Sequence, residues 1–379
     1  MKVAIVSNGH GEDAIAINLV KQLQSLPISI EILACPLVGN GHHYVENGLQ
    51  PVLNNPQFPS GGFIRSFKIL LQDIFAGLIT HTVKQVFRLK KVCADADFVI
   101  CCGDVFCLVM GSFTHKAIYF LPTAKSETFM AHSGVEKFIV SRFSKFSFPR
   151  DEQTTLVFEK DKLAATFFGN PMMDNLITSK KIVFPAESEK VVGLLPGSRL
   201  EAIENLMFIL DVCLALKSNH SLHFVCALSK NLSITDFEFS EDWELISHDK
   251  DFLLIHKKQN VKVLFTYEFL SIINQSDVII GLAGTANEQA CFLNKPVVCF
   301  EGFGPQSSLQ RFREQGQLLG SLLHLCETRK ISDIVKLVES CLKNCSETLS
   351  VFKNQEAAKD IIQFMMNDFQ SKDGARGGT

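Results

Sequence analysis

Residues 191–217 read VVGLLPGSRLEAIENLMFILDVCLALK. The apolar run at Val191–Leu195 stops at Pro196-Gly197, and a helical apolar period then runs from Leu200 to Lys217. A buried strand that passes through a Pro-Gly turn into a helix is the repeating unit of a parallel sheet with crossover helices. The alternation continues downstream. Strands are predicted at Leu222–Ala227, Val261–Phe265, Val278–Gly281 and Pro296–Phe300, separated by helical periods.

Upstream the pattern is the same. Lys2–Ser7 reads as a strand, Gly9–Gly11 as a turn, Asp13–Gln24 as a helix and Ile28–Cys35 as the second strand. A Gly-, Asn- and Pro-rich stretch from Val38 to Gly62 reads as a functional loop. A helical stretch from Arg65 to Lys91 follows, then strands at Phe98–Cys102, Lys116–Leu121 and Lys137–Val140. The segment from Asn170 to Glu189 carries Pro171, Pro185 and a run of Ser, Lys and Glu, as a linker would. A last helix is predicted over Asn354–Phe369, before the polar tail SKDGARGGT. The boundaries that follow are an N-terminal domain at 1–170, a linker at 171–189 and a second domain at 190–350. A helix at 351–370 and a disordered tail at 371–379 complete the chain. The fold class is α/β: two Rossmann-like, doubly wound parallel-sheet domains, expected to face each other across a cleft.

The totals fit this division. A chain of 379 residues exceeds one compact core, and 46% hydrophobic with 20% charged residues is a globular composition. A formal charge of -3 argues against nucleic acid as a partner. Several of the twelve cysteines sit in apolar runs, as in FVICC and PVVCF, and none makes a CxxC pair, so free thiols in a reducing compartment are expected. Cys341 and Cys345, four apart, read as shared packing rather than metal ligands. Met1-Lys2 runs straight into VAIVS without the apolar core of a secretory signal, and no run nears the roughly 20 apolar residues of a span. A cytoplasmic protein is expected, with no metal and no cofactor.

Five places could carry chemistry. The turn SNGHGEDA places Gly9, Gly11 and Ala14 in a G-x-G-x-x-A pattern between strand and helix. A dinucleotide site would want an acid at the end of the second strand, but Glu31 falls inside ISIEILA and should face solvent or an edge. The same turn carries His10, Glu12 and Asp13 where α/β sheets bind ligands, so a functional role is expected for at least one of them; capping of the helix is the other reading of Asp13. In LLPGSRLEAIE, Gly197 makes the turn, Ser198 is placed to cap and Arg199 begins a helix whose dipole favours an anion. The planar fork of Arg199 suits phosphate oxygens.

In IIGLAGTANEQACFLNKPVV, Ile279–Val298, another strand ends in Gly281, Ala283, Gly284, Thr285 and Ala286, which let backbone approach a ligand closely. Glu288 and Gln289 follow in the first turn of a helix, and Glu288 has the length for two ribose hydroxyls. Two anion-suited turns at strand ends of one domain are what a nucleotide diphosphate needs. In CCGDVFCLVMG, Asp104 follows a buried strand and is either a helix cap or a general base. Over Phe63–Leu89, Ile69, Leu70, Ile74, Leu78 and Ile79 form an apolar face near Lys68, Lys84, Arg88, Lys90 and Lys91. That face is either core or a lipid-acceptor or membrane-surface patch; Gln72 and Asp73 exclude a span.

Together these residues resemble lipid-A-disaccharide synthase and the divergent proteins related to it, nearly end to end. LLPGSR at Leu194–Arg199 is similar to that family's phosphate-binding turn. GNPMMD at Gly169–Asp174 is similar to its Gly-His-Pro-Leu-x-Asp motif, with Asn170 in place of His. GLAGTANEQA at Gly281–Ala290 is similar to its Ser-Gly-Thr-Ala-x-x-Glu sequence. The resemblance implies a GT-B fold with a C-terminal helix crossing back to the first domain. It implies an inverting, metal-independent glycosyltransferase taking a UDP-GlcNAc-type donor to a lipid-linked or membrane-proximal acceptor. It implies Asp104 as general base with His10 and Asp13 beside it, and Gly9, Gly11 and Glu12 on the acceptor side. Gly197, Ser198, Arg199, Gly284, Thr285, Ala286, Glu288 and Gln289 would hold the donor, and the protein would be cytoplasmic or peripheral on the membrane's inner face.

Two departures stand out. Ser7–Asp13 replaces the family's Gly-Glu-x-Ser-Gly-Asp and resembles the Gly-x-Gly-His turns of muramyl and diacylglycerol glycosyltransferases. The Trp-Ala-Trp-Arg region reads FLPTAKSETF, so acceptor recognition has changed. Other readings remain: a UDP-sugar 2-epimerase, a non-catalytic nucleotide-sugar sensor, or a nicotinamide dehydrogenase.

Overall fold

In the computed structural model, residues 1–53, 78–183, 190–217, 222–229, 232–248, 251–304, 307–344 and 356–376 are described. The chain forms two compact units. Unit 1 is Met1–Asp174 with Gln355–Thr379, and unit 2 is Asn175–Asn354.

Unit 1 holds a five-stranded, all-parallel sheet in the order β2-β1-β3-β4-β5. The strands are β1 (Lys2–Ser7), β2 (Glu31–Pro36), β3 (Phe98–Gly103), β4 (Ala117–Pro122) and β5 (Phe146–Ser147). Glu31 opens β2 at the surface and pairs with Lys2 at 2.9 Å, so it reaches no ribose site. Among the described residues, the helices of this unit's first segment are α1 (His10–Ser25), α2 (His42–Glu46), α3 (Leu78–Val92), α4 (Val105–Ser112), α5 (Gly134–Phe143) and α6 (Glu152–Lys160). The strand predicted at Lys137–Val140 is part of α5. Ser133 and Glu136 form a capping box there: Ser133 Oγ accepts from the Glu136 amide at 3.3 Å and Glu136 accepts from the Ser133 amide at 2.7 Å. That reciprocal pair satisfies two helix-end donors and overrides the local apolar pattern. Ile69, Leu70 and Ile74 lie outside the described residues, as do the side chains of Leu78 and Ile79 at the start of α3.

The order of the eight strands of unit 2 is β13-β12-β11-β6-β7-β10-β9-β8. Its parallel core is β6 (Lys190–Leu195), β7 (Leu222–Ala227), β10 (Lys262–Thr266), β11 (Val278–Gly281), β12 (Val297–Phe300) and β13 (Leu323–Cys326). Numbered within the unit, that core has the Rossmann order 3-2-1-4-5-6, with its reversal between β6 and β11. An antiparallel pair, β8 (Trp243–His248) and β9 (Asp251–His256), extends the β10 edge. Five helices follow the strands: α7 (Glu201–Lys217), α8 (Phe269–Gln275), α9 (Thr285–Phe292), α10 (Leu309–Leu319) and α11 (Ile331–Asn344).

The chain returns to unit 1 as α12 (Ala357–Arg376), so SKDGAR is helical where the sequence suggests a disordered tail. Phe364 of α12 packs against Phe146 and Phe148, at 4.5 and 5.5 Å between centroids, and Asp368 accepts from Tyr119 Oη at 2.5 Å. Asp174 accepts from the amides of Ala357 and Ala358 at 3.0 and 2.7 Å, supplying the acceptor that the start of α12 otherwise lacks. Burial pushes the Asp174 carboxyl up to about 6, although those two amides pull the other way. Among the described residues, eleven cysteines are free and buried, no helix is long and apolar enough to cross a membrane, and no cluster could hold a metal ion.

Candidate functional site

In unit 2 the two glycine-rich turns leave the sheet side by side at the β6/β11 reversal, where open α/β sheets bind ligands. The Leu282 amide donates to Leu195 O at 2.9 Å, fastening one turn to the other. Gly197 has φ +121°, a conformation other residues rarely adopt. Gly281 is required for space: a Cβ there would lie 2.1 Å from Asn287 Oδ1.

Fully buried Asn287 donates to Gly281 O at 3.1 Å and to Gln315 Oε1 at 3.3 Å, and Gln315 donates to Gly284 O at 2.8 Å. That network holds the start of α9, whose N-terminus at Gly284 has no side-chain cap. Its first amides therefore remain available to an anion. Thr285 is exposed there, Ala286 and Gln289 are half-buried, and Glu288 is 8% exposed.

Arg199 is exposed, and α7 begins only at Glu201, so Ser198 stands ahead of the cap position instead of filling it. Asn205, on the first turns of α7, fixes the other side. Its Nδ2 donates to Pro196 O at 3.1 Å, and its Oδ1 accepts from the Phe303 amide at 2.6 Å. Asn205, Asn287 and Gln315 were not singled out from the sequence. In the sequence Asn287 is legible only as the first polar amide after the small-residue run Gly281–Ala286, and nothing marks Gln315.

In unit 1 the sheet reverses between β1 and β3, and Ser7 lies in register with Cys102. The residues after both strands meet: Asn8 Nδ2 donates to Asp104 Oδ1 at 2.7 Å. Asp104 also caps α4, accepting from the Cys107 amide at 3.1 Å through the same oxygen. Capping therefore leaves Oδ2 without a protein partner among the described residues.

Asp13 does not cap α1. It is fully buried, accepts from Ser7 Oγ at 2.6 Å, and Ser7 shares a 2.8 Å hydrogen bond with the buried Tyr44 hydroxyl. Its Oδ2 is buried with no partner among the described residues. Burial pushes the carboxyl up to about 7; the Ser7 bond lowers it and the nearby Glu12 charge raises it. Glu12 folds back over Gly9, where a Cβ would lie 2.3 Å from its Oε2. Gly11 is exposed in α1, and the side chain of His10 lies outside the described residues. Ser7 and Tyr44 were unmarked in the sequence, since one looks like strand and the other like loop.

No family model and no curated protein matches the chain. Solved structures do. UDP-GlcNAc 2-epimerase from Neisseria meningitidis bound to UDP-GlcNAc is similar with a TM-score of 0.56 and 12% identity, covering 97% of this chain and 100% of that one. The calicheamicin glycosyltransferase CalG4 gives 0.58 and 14% over 98% and 94%. MurG of Acinetobacter baumannii gives 0.59 and 11% over 97% and 99%. The fold is thus the GT-B fold shared by glycosyltransferases and UDP-GlcNAc 2-epimerases.

Proposed function

We propose that this protein is a glycosyltransferase that moves a sugar, of the N-acetylglucosamine type, from a UDP-sugar to a lipid-linked or membrane-proximal acceptor. The observation that carries the reading is the pair of turns at the β6/β11 reversal, Pro196–Arg199 and Gly281–Glu288, the second of which contains the uncapped start of α9. In this reading Gly197, Ser198 and Arg199 meet the diphosphate with Gly284, Thr285 and Ala286, while Glu288 and Gln289 meet the ribose. Asp104 takes the proton of an acceptor hydroxyl through Oδ2. The hydroxyl oxygen attacks the anomeric carbon with inversion as the bond to the diphosphate breaks. The leaving UDP keeps the electron pair and is stabilised by Arg199 and the α9 N-terminus. His10, Asp13, Gly9, Gly11 and Glu12 shape the acceptor side, and no metal is assigned a step.

The lipid part of the proposal is supported by α3, where Val83 and Phe87 are 49% and 70% exposed, four residues apart beside Lys84, Arg88 and Lys91. An apolar stripe flanked by cations suits an anionic membrane surface at the cytoplasmic face. Phe87→Ser should reduce co-flotation with vesicles containing anionic lipid several-fold without changing UDP affinity; unchanged flotation removes the membrane contact from the proposal.

The decisive measurement is UDP release from UDP-GlcNAc in the presence of membrane lipid extract. Wild type should release UDP, and Arg199→Ala should lower kcat/KM at least tenfold. Equal rates in both proteins, or none with any UDP-sugar, would overturn the proposal. A UDP-sugar 2-epimerase is the second reading, favoured by the fold shared with the Neisseria enzyme. It requires conversion of UDP-GlcNAc to its 2-epimer with no acceptor added.

A further inference from the structure

Unit 2 contains four described arginines, and they divide into two kinds. Arg311 pairs with Glu314 at 3.3 Å and Arg313 with Glu327 at 2.5 Å, as surface arginines commonly do. Arg199 and Arg329 have no carboxylate partner among the described residues. Arg199 belongs to the phosphate-suited turn; Arg329 follows β13 and was not a sequence candidate.

Arg329 is nevertheless held in place. Its guanidinium carbon lies 4.2 Å from the centroid of the Phe303 ring and 4.6 Å from that of Phe208. Phe303 is tied to the turn at Pro196, and Phe208 lies on the helix that follows that turn. The Phe303 amide donates to Asn205 Oδ1, Asn205 donates to Pro196 O, and Phe208 sits three residues beyond Asn205 on α7. The nearest acids in sequence are engaged elsewhere: Glu327 with Arg313, and Asp333 with the Thr328 hydroxyl at 2.8 Å. The two rings lie against the guanidinium while the side chain as a whole is exposed, so its N–H donors are open to a ligand. Such a fork fits the oxygens of a phosphate, and the two rings limit the positions it can take.

We propose that Arg329 is a second phosphate-recognising residue of the unit 2 site, its guanidinium edge contacting the diphosphate of the bound nucleotide. The proposal rests on the reading of unit 2 as nucleotide-binding and adds a residue to it.

Calorimetric titration of the full chain with UDP and with inorganic pyrophosphate tests it, using wild type, Arg199→Ala, Arg329→Ala and Arg329→Lys. Arg329→Ala should weaken both ligands about tenfold or more, with the ligand-free melting temperature unchanged. Arg329→Lys keeps the charge and loses the fork, so it should recover only part of the loss. It should also keep the wild-type salt dependence, whereas Arg329→Ala should flatten it. Wild-type affinity for both ligands in Arg329→Ala overturns the role of Arg329 while leaving the nucleotide reading standing. So does a loss accompanied by an equal fall in ligand-free stability that lysine does not recover, which would make Arg329 a structural strut. Absence of UDP binding to wild type is a different result: the nucleotide reading fails, and the proposal with it.

Discussion

Asp13 presents no surface to solvent, and among the described residues its side chain accepts a hydrogen bond from Ser7 alone. Its folded value of about 7 lies well above the ordinary carboxylate value of roughly 4. Between those limits the native chain binds more protons than the unfolded one. The stabilisation from a protonated Asp13 is therefore full below about pH 4 and is lost as pH rises through 7. Asp13→Asn should flatten urea-unfolding free energy over that window, by up to about 1.4 kcal/mol per pH unit. A variant with the wild-type slope would place the titration elsewhere. Gly281 gives a second test at this scale. A Cβ at that position meets Asn287 Oδ1, and Asn287 holds Gln315 and through it the α9 start. Gly281→Ala should cost about 1–3 kcal/mol in urea unfolding and weaken UDP together with it.

At the scale of elements, what was legible depended on the range of the forces that decide each one. Strands β1, β3, β6 and β11 are apolar runs followed by glycine within three residues or ending in it, and both turns of the unit 2 site could be read from residue type alone. The Lys137–Val140 stretch looked equally strand-like, but two side-chain-to-backbone bonds between Ser133 and Glu136 make it a helix. β9 has the apolar run Phe252–Ile255, but its neighbour β8, Trp243–His248, has none longer than two residues and carries Leu245 and Ile246 at 40% and 42% exposure, so pairing with β9 rather than composition makes β8 the sheet edge. The networks around Asn205, Asn287 and Tyr44 join positions far apart in the chain, which no local pattern announces. Asp174 shows the reverse: it was legible as part of GNPMMD, but its role as acceptor for the start of α12 was not. Asp174→Ala should lower stability by about 0.5–2 kcal/mol and speed amide exchange in the first turn of α12 before the rest of the helix.

For the whole molecule, the two sheets follow different winding orders, 2-1-3-4-5 in unit 1 and 3-2-1-4-5-6 in the core of unit 2. Each carries the residues proposed for the chemistry at its own reversal: carboxylates after β1 and β3, glycine turns after β6 and β11. On the proposed reading, UDP should slow amide exchange at residues 196–203 and 281–289 and leave β1 and β3 unchanged. Protection spread evenly through both units would contradict that assignment. The Asp174 contact carries one more implication. The last residue before the chain leaves unit 1 touches the residues with which it comes back, 3.0 Å from carboxylate to amide. Topologically, then, unit 2 is an insertion between two segments of its host that hold each other directly. A short Gly-Ser bridge in place of residues 175–354 should yield an autonomous miniature protein with the five parallel strands and α12 in place.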